Sequence, residues 1–373
     1  MRRVYIVLST AGVGGAEKRF TDNWCALRAV GMDVHLVMDH HAHAGLCQQP
    51  GLAGVLSPNP KLHVLDLGNN HYRRYCAKVN TFFASQPERA IVHYPLAHVP
   101  RVQANYGHRM VVSWVNSAMP PLNFRGWRNG VGAWLSFITA DHIDVLNPNN
   151  LAGICRVPGM YAKTSLTAGG TQIDASLYRP GSKALDVVFL GRAEAEKQAL
   201  RLVSLLPQVH HLLQNSGHRG YRFLVCGEGS QTHAIRALMA TAPFQGQHAV
   251  PMQFGYSPQP AEVLGQAAVF LSLQRTSNYP SKALAEAMAC GAYPILTDVG
   301  ESAMMVDGLQ PHSFVPRDFT AADLAGALRH YLNADAATRA RWVGEIANFA
   351  TARFANGRQA AYFGDIYRRL GST

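Results

Sequence analysis

Asp186-Val187-Val188-Phe189-Leu190-Gly191-Arg192-Ala193-Glu194-Ala195-Glu196-Lys197 is the stretch on which the fold turns. An unbroken apolar run ends in glycine. An arginine and a lysine five residues apart then open a helix-length segment. A strand without polar alternation is buried on both faces, as in a parallel sheet covered by helices. The run also restarts a pattern. Ahead of it, Thr167-Ala168-Gly169-Gly170-Thr171 and Arg179-Pro180-Gly181-Ser182 carry turn chemistry, which sets a domain boundary near residue 180.

Outward from this stretch, strand-like runs fall at 4–8, 34–38, 62–65, 90–93, 110–115 and 143–146, then at 187–190, 221–226, 252–254, 269–273, 293–296 and 313–315. Helix-length segments lie between them, among them 16–30, 196–214, 232–241, 261–267, 281–290 and 321–332. Such alternation predicts an α/β chain of βαβ units. Two doubly wound domains facing across a cleft are expected, with the loops after their strands lining it.

The size agrees: 373 residues make two domains at about 150 each. Hydrophobic residues are 48% and charged residues 15%, which excludes disorder. No window reaches the roughly 18 apolar residues of a spanning helix. Met1-Arg2-Arg3 before Val4-Tyr5-Ile6-Val7-Leu8 imitates a secretion signal, but five apolar residues are too few for its core, and the run reads as a first strand. The six cysteines form no CxxC pair or zinc spacing, so free thiols in a reducing cytoplasm are expected. The net charge is +11, and residues 1–180 hold 17 Lys/Arg against 9 Asp/Glu. A basic surface attracts nucleic acid, anionic headgroups or phosphorylated substrates, or serves solubility alone. No nucleic-acid motif accompanies it.

Four segments carry chemistry. Ser9-Thr10-Ala11-Gly12-Val13-Gly14-Gly15-Ala16-Glu17 joins the first strand to a helix, either as a close-approach turn for a ligand or as a plain tight turn. Arg192 and Lys197 at a helix start offer a diphosphate a planar fork and a point charge, or pair with Glu194 and Glu196 on a solvated face. Val225-Cys226-Gly227-Glu228-Gly229-Ser230 is a glycine turn before a helix, in ligand contact or simply a βα connection. In Ser277-Asn278-Tyr279-Pro280-Ser281-Lys282-Ala283-Leu284-Ala285-Glu286-Ala287-Met288-Ala289-Cys290-Gly291, Glu286 is a lone acid among apolar residues. It wants a partner such as a ribose diol, or else an exposed face.

Together, Gly14-Gly15-Ala16-Glu17, Gly191-Arg192-x4-Lys197, Glu286 through Gly291 and Thr297-Asp298-Val299-Gly300 resemble glycosyltransferase family 4. Its members are retaining, nucleotide-sugar-dependent enzymes of the GT-B fold. The linker Gly169-Gly170-Thr171-Gln172-Ile173-Asp174-x3-Tyr178-Arg179-Pro180 is similar to the family's crossing, and the resemblance covers almost the whole chain. It implies an acceptor domain at 1–180, a nucleotide-sugar domain at 181–350, and a C-terminal helix at 351–373 returning to the first domain. By the resemblance, Arg192 and Lys197 neutralise the donor diphosphate and Glu286 binds the ribose. Gly15 approaches the β-phosphate, Gly14 belongs to the donor-binding set, and the amides of Ser281, Lys282 and Ala283 receive the phosphates. Gly227, Gly255 and Tyr256 lie near the nucleotide.

The chain departs from the pattern at Asn278, where a glutamate facing the sugar is usual, at Asn116, where a histidine often stands, and at Gln198, where glycine is usual. Arg192, Lys197, Asn278 and Asn116 are the residues expected to carry catalysis. No metal and no cofactor are expected, since fixed cations take the metal's place at the diphosphate. The alternatives are a sugar-nucleotide-binding protein without turnover and a nucleotide-sugar epimerase of the same fold.

Asp39-His40-His41-x-His43 has the residue types of a metal site, but it reads as a loop with His40 and His41 pointing apart, so no metal is assigned to it. His93 and His98 read as acceptor-side contacts or structural histidines. Arg73, Arg74 and Lys78 on a helix, and Arg125 with Arg128 beside Trp127, combine cations with Tyr72, Tyr75 and Phe124. The expectation is a cytoplasmic protein that rests weakly on an anionic inner leaflet and acts on a lipid-linked or phosphorylated glycan, with a soluble acceptor as the alternative. No nucleic-acid partner is expected.

Overall fold

Val4–Leu8 forms β1 with every residue buried, and its alternation divides the five between two cores. Val4, Ile6 and Leu8 enter one, while Tyr5 and Val7 enter the other. Burial on both faces is what a helix-covered parallel sheet requires. The computed structural model describes the chain apart from residues 1, 11–14, 49–51, 58, 68–71, 87, 96–106, 116–118, 120–126, 248, 278, 356 and 373. Of residues 72 and 127–129 it describes the backbone only.

The first sheet continues with β2 (Val34–Asp39), β3 (Leu62–Leu65), β4 (Ile91–Tyr94), β5 (Arg109–Trp114), β6 (His142–Val145) and β7 (Thr164–Leu166), in spatial order β3-β2-β1-β4-β5-β6-β7. The second holds β8 (Asp186–Leu190), β9 (Arg222–Cys226), β10 (Met252–Gly255), β11 (Ala267–Ser272), β12 (Tyr293–Thr297) and β13 (Ser313–Val315), in order β10-β9-β8-β11-β12-β13. Neighbouring strands are parallel in both sheets. The first sheet is connected through α1 (Gly15–Ala29), α2 (His40–Cys47), α3 (Tyr72–Ala84), α4 (Trp127–Thr139) and α5 (Pro148–Cys155). The second uses α6 (Ala199–Asn215), α7 (Thr232–Met239), α8 (Pro260–Gln266), α9 (Lys282–Ala289), α10 (Ala321–Leu332) and α11 (Ala336–Phe354), and α12 (Gly357–Ser372) ends the chain. Among the described residues no helix is long and apolar enough to cross a membrane.

Two compact units result, Met1–Gly170 with Asn356–Thr373, and Thr171–Ala355. Residues 171–180, placed in the first domain from sequence, pack in the second unit instead. Ile173 donates its N–H to the Phe354 carbonyl at 2.8 Å, and Ile173 and Tyr178 lie in that unit's core. Residues 351–354 complete α11, so the helix that joins the first unit begins at Gly357.

That helix is fixed to the first unit by apolar and polar contacts. Ala360, Phe363, Ile366 and Tyr367 fill the core against Phe20, Trp24 and Leu27 of α1. Beside them, the buried Asp144 carboxylate accepts hydrogen bonds from Ser113 (2.6 Å), Thr167 (2.7 Å) and Tyr362 (2.8 Å), with Arg19 Nη2 at 3.9 Å. Arg19 Nε donates to Gln359 Oε1 at 2.9 Å, and Gln359 Nε2 to the Gly170 carbonyl at 2.8 Å. A carboxylate as deeply buried as Asp144 is tolerable only when donors meet its oxygens in this way.

Candidate functional site

In a doubly wound sheet, ligands bind beyond the strand carboxyl ends where the strand order reverses. In the second sheet that point lies between β8 and β11. A cavity of about 110 Å3 opens there, lined by Phe189, Leu190 and Gly191 of the β8 end, Phe270, Leu271, Ser272 and Gln274 of the β11 end, Lys197, and Ser281, Lys282 and Ala283 at the start of α9. Its volume suits one polar group of a ligand rather than a whole one, since complete ligand pockets run to roughly 300–1,000 Å3.

The wall is built by turns that hold one another. Gly191 donates its N–H to the Cys226 carbonyl at 3.0 Å, and Gly227 to the Gly255 carbonyl at 2.9 Å. Gly227 has φ +136°, and a Cβ on it would lie 1.9 Å from the Gly191 oxygen, so this crossing requires glycine. Glu194 accepts from the Ser230 N–H at 3.1 Å and from its hydroxyl at 2.5 Å. Arg275 donates its N–H to the Glu196 carbonyl at 2.9 Å. The turn carrying Lys197 is thus tied to the turns after β9 and β11.

The helix read from sequence as beginning at 196 begins at Ala199, after a 3-10 turn over Ala195–Lys197. Gln198 sits between the two in the left-handed region, the one non-glycine residue with positive φ among those described. That conformation gives a physical reason why glycine suits this position. Gln198 compensates by donating Nε2 to the Arg317 carbonyl at 3.1 Å. The 3-10 turn directs the Lys197 amine into the cavity wall. Burial depresses its pKa to about 8, with Glu196 pulling upward and Arg192 pushing further down. Arg192 itself is exposed, outside the cavity lining, 3.9 Å from Glu196.

Ser281 caps α9, its hydroxyl accepting from the Leu284 N–H at 3.3 Å. The first turn of α9 thereby meets the cavity with the positive end of the helix dipole. Glu286, 6% exposed, lies one turn beyond Lys282 on the same helical face. The structure therefore brings Lys197, Ser281, Lys282 and Ala283 together, and leaves Arg192, Gly227, Glu286 and Tyr256 outside the lining. Tyr256 is exposed just past β10. Gly15 opens α1 in the first unit. Gly14, Asn116 and Asn278 lie outside the described residues, as do His98, Phe124, Arg125 and the side chains of Tyr72, Trp127 and Arg128.

Two polar lining residues, Ser272 and Gln274, were not singled out from sequence. Their signal is a polar pair at the end of an apolar strand, and only strand order shows that this strand flanks β8. Glu301 was also missed. Buried beyond β12, its carboxylate accepts a hydrogen bond from the Ser277 hydroxyl, which anchors the loop leading to α9.

In the first unit, His93 is structural. It is buried between the Tyr367 hydroxyl (2.6 Å) and the Ser113 hydroxyl (2.8 Å), and burial, then Arg19 and His142, hold its pKa well below the ordinary range. Tyr75 is buried in the core and cannot join a surface patch with Arg73, Arg74 and Lys78, which are exposed on α3. The segment 39–43, read as a loop, is the capped start of α2. Asp39 Oδ1 accepts from the His41 N–H at 2.9 Å, and the His40 and His41 rings stand 3.9 Å apart between centroids rather than diverging.

Residues 184–334 match the family described as Glycosyl transferases group 1. Among solved structures, the sucrose-phosphate synthase of Thermosynechococcus elongatus superposes with a TM-score of 0.75 at 16% identity, covering 100% of both chains. The Anabaena protein HepE, solved in complex with UDP and glucose, gives 0.76 at 13% identity, again over 100% of each chain. The E. coli trehalose-6-phosphate protein bound with UDP-2-fluoro glucose gives 0.66 at 11% identity, over 98% of this chain and 99% of that one. No curated protein matches by sequence. The fold is the GT-B architecture of two Rossmann-like domains. The chain thus has the GT-B fold, and the glycosyltransferase family match lies within its second unit.

Proposed function

We propose that the protein moves a sugar from a nucleoside-diphosphate sugar to a glycan or lipid-linked glycan, with retention of configuration and without a metal at the diphosphate. The observation that carries this reading is the cavity in which Lys197 meets the first turn of α9. As the sugar–oxygen bond breaks, negative charge grows on the leaving diphosphate. A half-buried amine in its charged form and helix-end amides, already in place, stabilise that charge without reorganising. Arg192 folds over the diphosphate from its exposed position. Glu286 accepts the ribose hydroxyls, and Tyr256 and Gly227 lie beside the nucleotide. The family resemblance alone assigns Gly14, Gly15, Asn116 and Asn278 to the sugar and phosphates. The relatives solved with UDP and UDP-sugars support this donor class.

The acceptor belongs to the first unit. Arg73, Arg74 and Lys78 give it an exposed cationic face for an anionic inner leaflet, worth about 1 kcal/mol per basic residue near the headgroups.

A panel of nucleotide sugars tests the reading. The expected result is binding of one nucleoside diphosphate and slow hydrolysis of its sugar conjugate with retained configuration, unchanged by chelator. Binding without turnover identifies a sugar-nucleotide-binding protein, interconversion of the sugar identifies an epimerase, and no nucleotide binding overturns the proposal. For the membrane, sedimentation with anionic vesicles should fall with salt and with Arg73→Glu/Arg74→Glu. Equal indifference to anionic and neutral vesicles at low salt removes that part.

A further inference from the structure

We infer that Asp39, His40 and His41 form a binding site for a divalent transition-metal ion of the zinc type, in the first unit and separate in role from the diphosphate cavity. One ligand atom from each of the three lies within 4.8 Å of the others, with Asp39 buried and both histidines exposed. The carboxylate is held in place before any ion arrives: Oδ1 accepts from the His41 N–H at 2.9 Å and Oδ2 from the Leu67 N–H at 3.0 Å. Both partners are backbone amides, which leave carboxylate lone pairs for a cation. His40 Nδ1 stands 3.7 Å from Oδ1.

Zinc ligands at bonds of about 2.0–2.2 Å sit roughly 3.3 Å from one another, so the site closes by small rotations of two exposed imidazoles. Two imidazoles and one carboxylate suit zinc, cobalt or nickel and disfavour magnesium, which prefers oxygen ligands. Three protein ligands leave a fourth position open to water or to an anionic oxygen. The site lies at the carboxyl end of β2, the edge on which such sheets bind ligands. The α2 dipole opposes a cation there, but by less than roughly tenfold in affinity. His43 is not part of it, because its Nε2 faces the Leu56 carbonyl at 3.1 Å and Cys47 at 3.6 Å.

Calorimetric titration of the full-length, untagged protein with zinc alone tests the site, with cobalt absorption reporting the ligand set. One zinc ion per chain is expected, with no heat from magnesium. His40→Ala and His41→Ala should each weaken binding by about tenfold or more, since even outer-shell changes cost 10–100-fold. Asp39→Asn removes the charge and should weaken zinc; it keeps one oxygen for the His41 N–H but sets an amide NH2 against the Leu67 N–H, so a lower melting temperature is expected with it. His43→Ala and Cys47→Ser should leave affinity unchanged. Zinc binding that survives His40→Ala/His41→Ala, or that is lost with His43→Ala instead, overturns the assignment.

Discussion

The carbonyl oxygen of Gly191 occupies the space that a side chain on residue 227 would need: a Cβ there would stand 1.9 Å from it. The obstacle is backbone, which cannot swing aside, and Gly227 is at φ +136°. Gly227→Ala should therefore displace the turn that carries Arg192 and Lys197. We expect a loss of about 1–3 kcal/mol or more in denaturant unfolding, together with weakened nucleoside-diphosphate binding. An alanine variant with unaltered stability would show that the two turns do not cross as described.

Lys197→Ala should lower nucleoside-diphosphate affinity about 10- to 100-fold, and by more than Arg192→Ala, because Lys197 lines the cavity and Arg192 does not. Calorimetry on both variants decides the order.

The half-buried Lys197 amine also sets a pH dependence. With its pKa near 8, it carries its charge below that pH and loses it above. Diphosphate affinity should fall as the pH rises through about 8, and Lys197→Met should remove that fall. For the ligand-free fold the sign is opposite. The folded value lies below the ordinary 10.5, so burying the charged amine costs stability below pH 8, and this cost is relieved as the pH climbs from 8 to 10.5.

Glu286→Ala should weaken a nucleoside diphosphate far more than free pyrophosphate, which has no ribose to offer the carboxylate. Equal losses for both ligands would assign Glu286 to holding α9 in place.

Asp144→Ala should destabilise the first unit by about 3–5 kcal/mol, because it leaves the Arg19 guanidinium buried without its counter-charge. Unfolding monitored by tryptophan fluorescence would report this through Trp24 in the same core.

The sheets were legible because their strands are continuous runs such as Val187–Leu190 and Val4–Leu8, which have no other stable home than a helix-covered interior. Among the elements not named from sequence, which also include α4, α5 and α11, two have local reasons. β7 is three residues, Thr-Ser-Leu, half-buried at a sheet edge. α2 carries alternating histidine and alanine with no apolar stripe, and Asp39 as its cap was the only start signal. At the candidate site, Lys197 could be found because a cation at a βα turn has its own chemistry, and Ser281–Ala283 through the family resemblance. Ser272 and Gln274 could not, since strand order rather than sequence brings β11 beside β8. The Asp144 network was equally invisible: the bond from His93 to Tyr367 spans 274 residues.

The place of α12 has a consequence for how the protein is made. Most of the first unit is made before residues 171–355, yet the helix that closes its core is made after them. Residues 171–355 are translated in between, which takes roughly 10–40 s at 5–20 residues per second. Throughout that time Phe20, Trp24 and the Asp144–Arg19 pair wait for Phe363, Tyr367, Tyr362 and Gln359, while the contiguous second unit emerges whole and closes first. The nascent chain thus carries an unfinished first unit until residues 357–372 emerge, and truncation ahead of Gly357 leaves that unit without its closing helix.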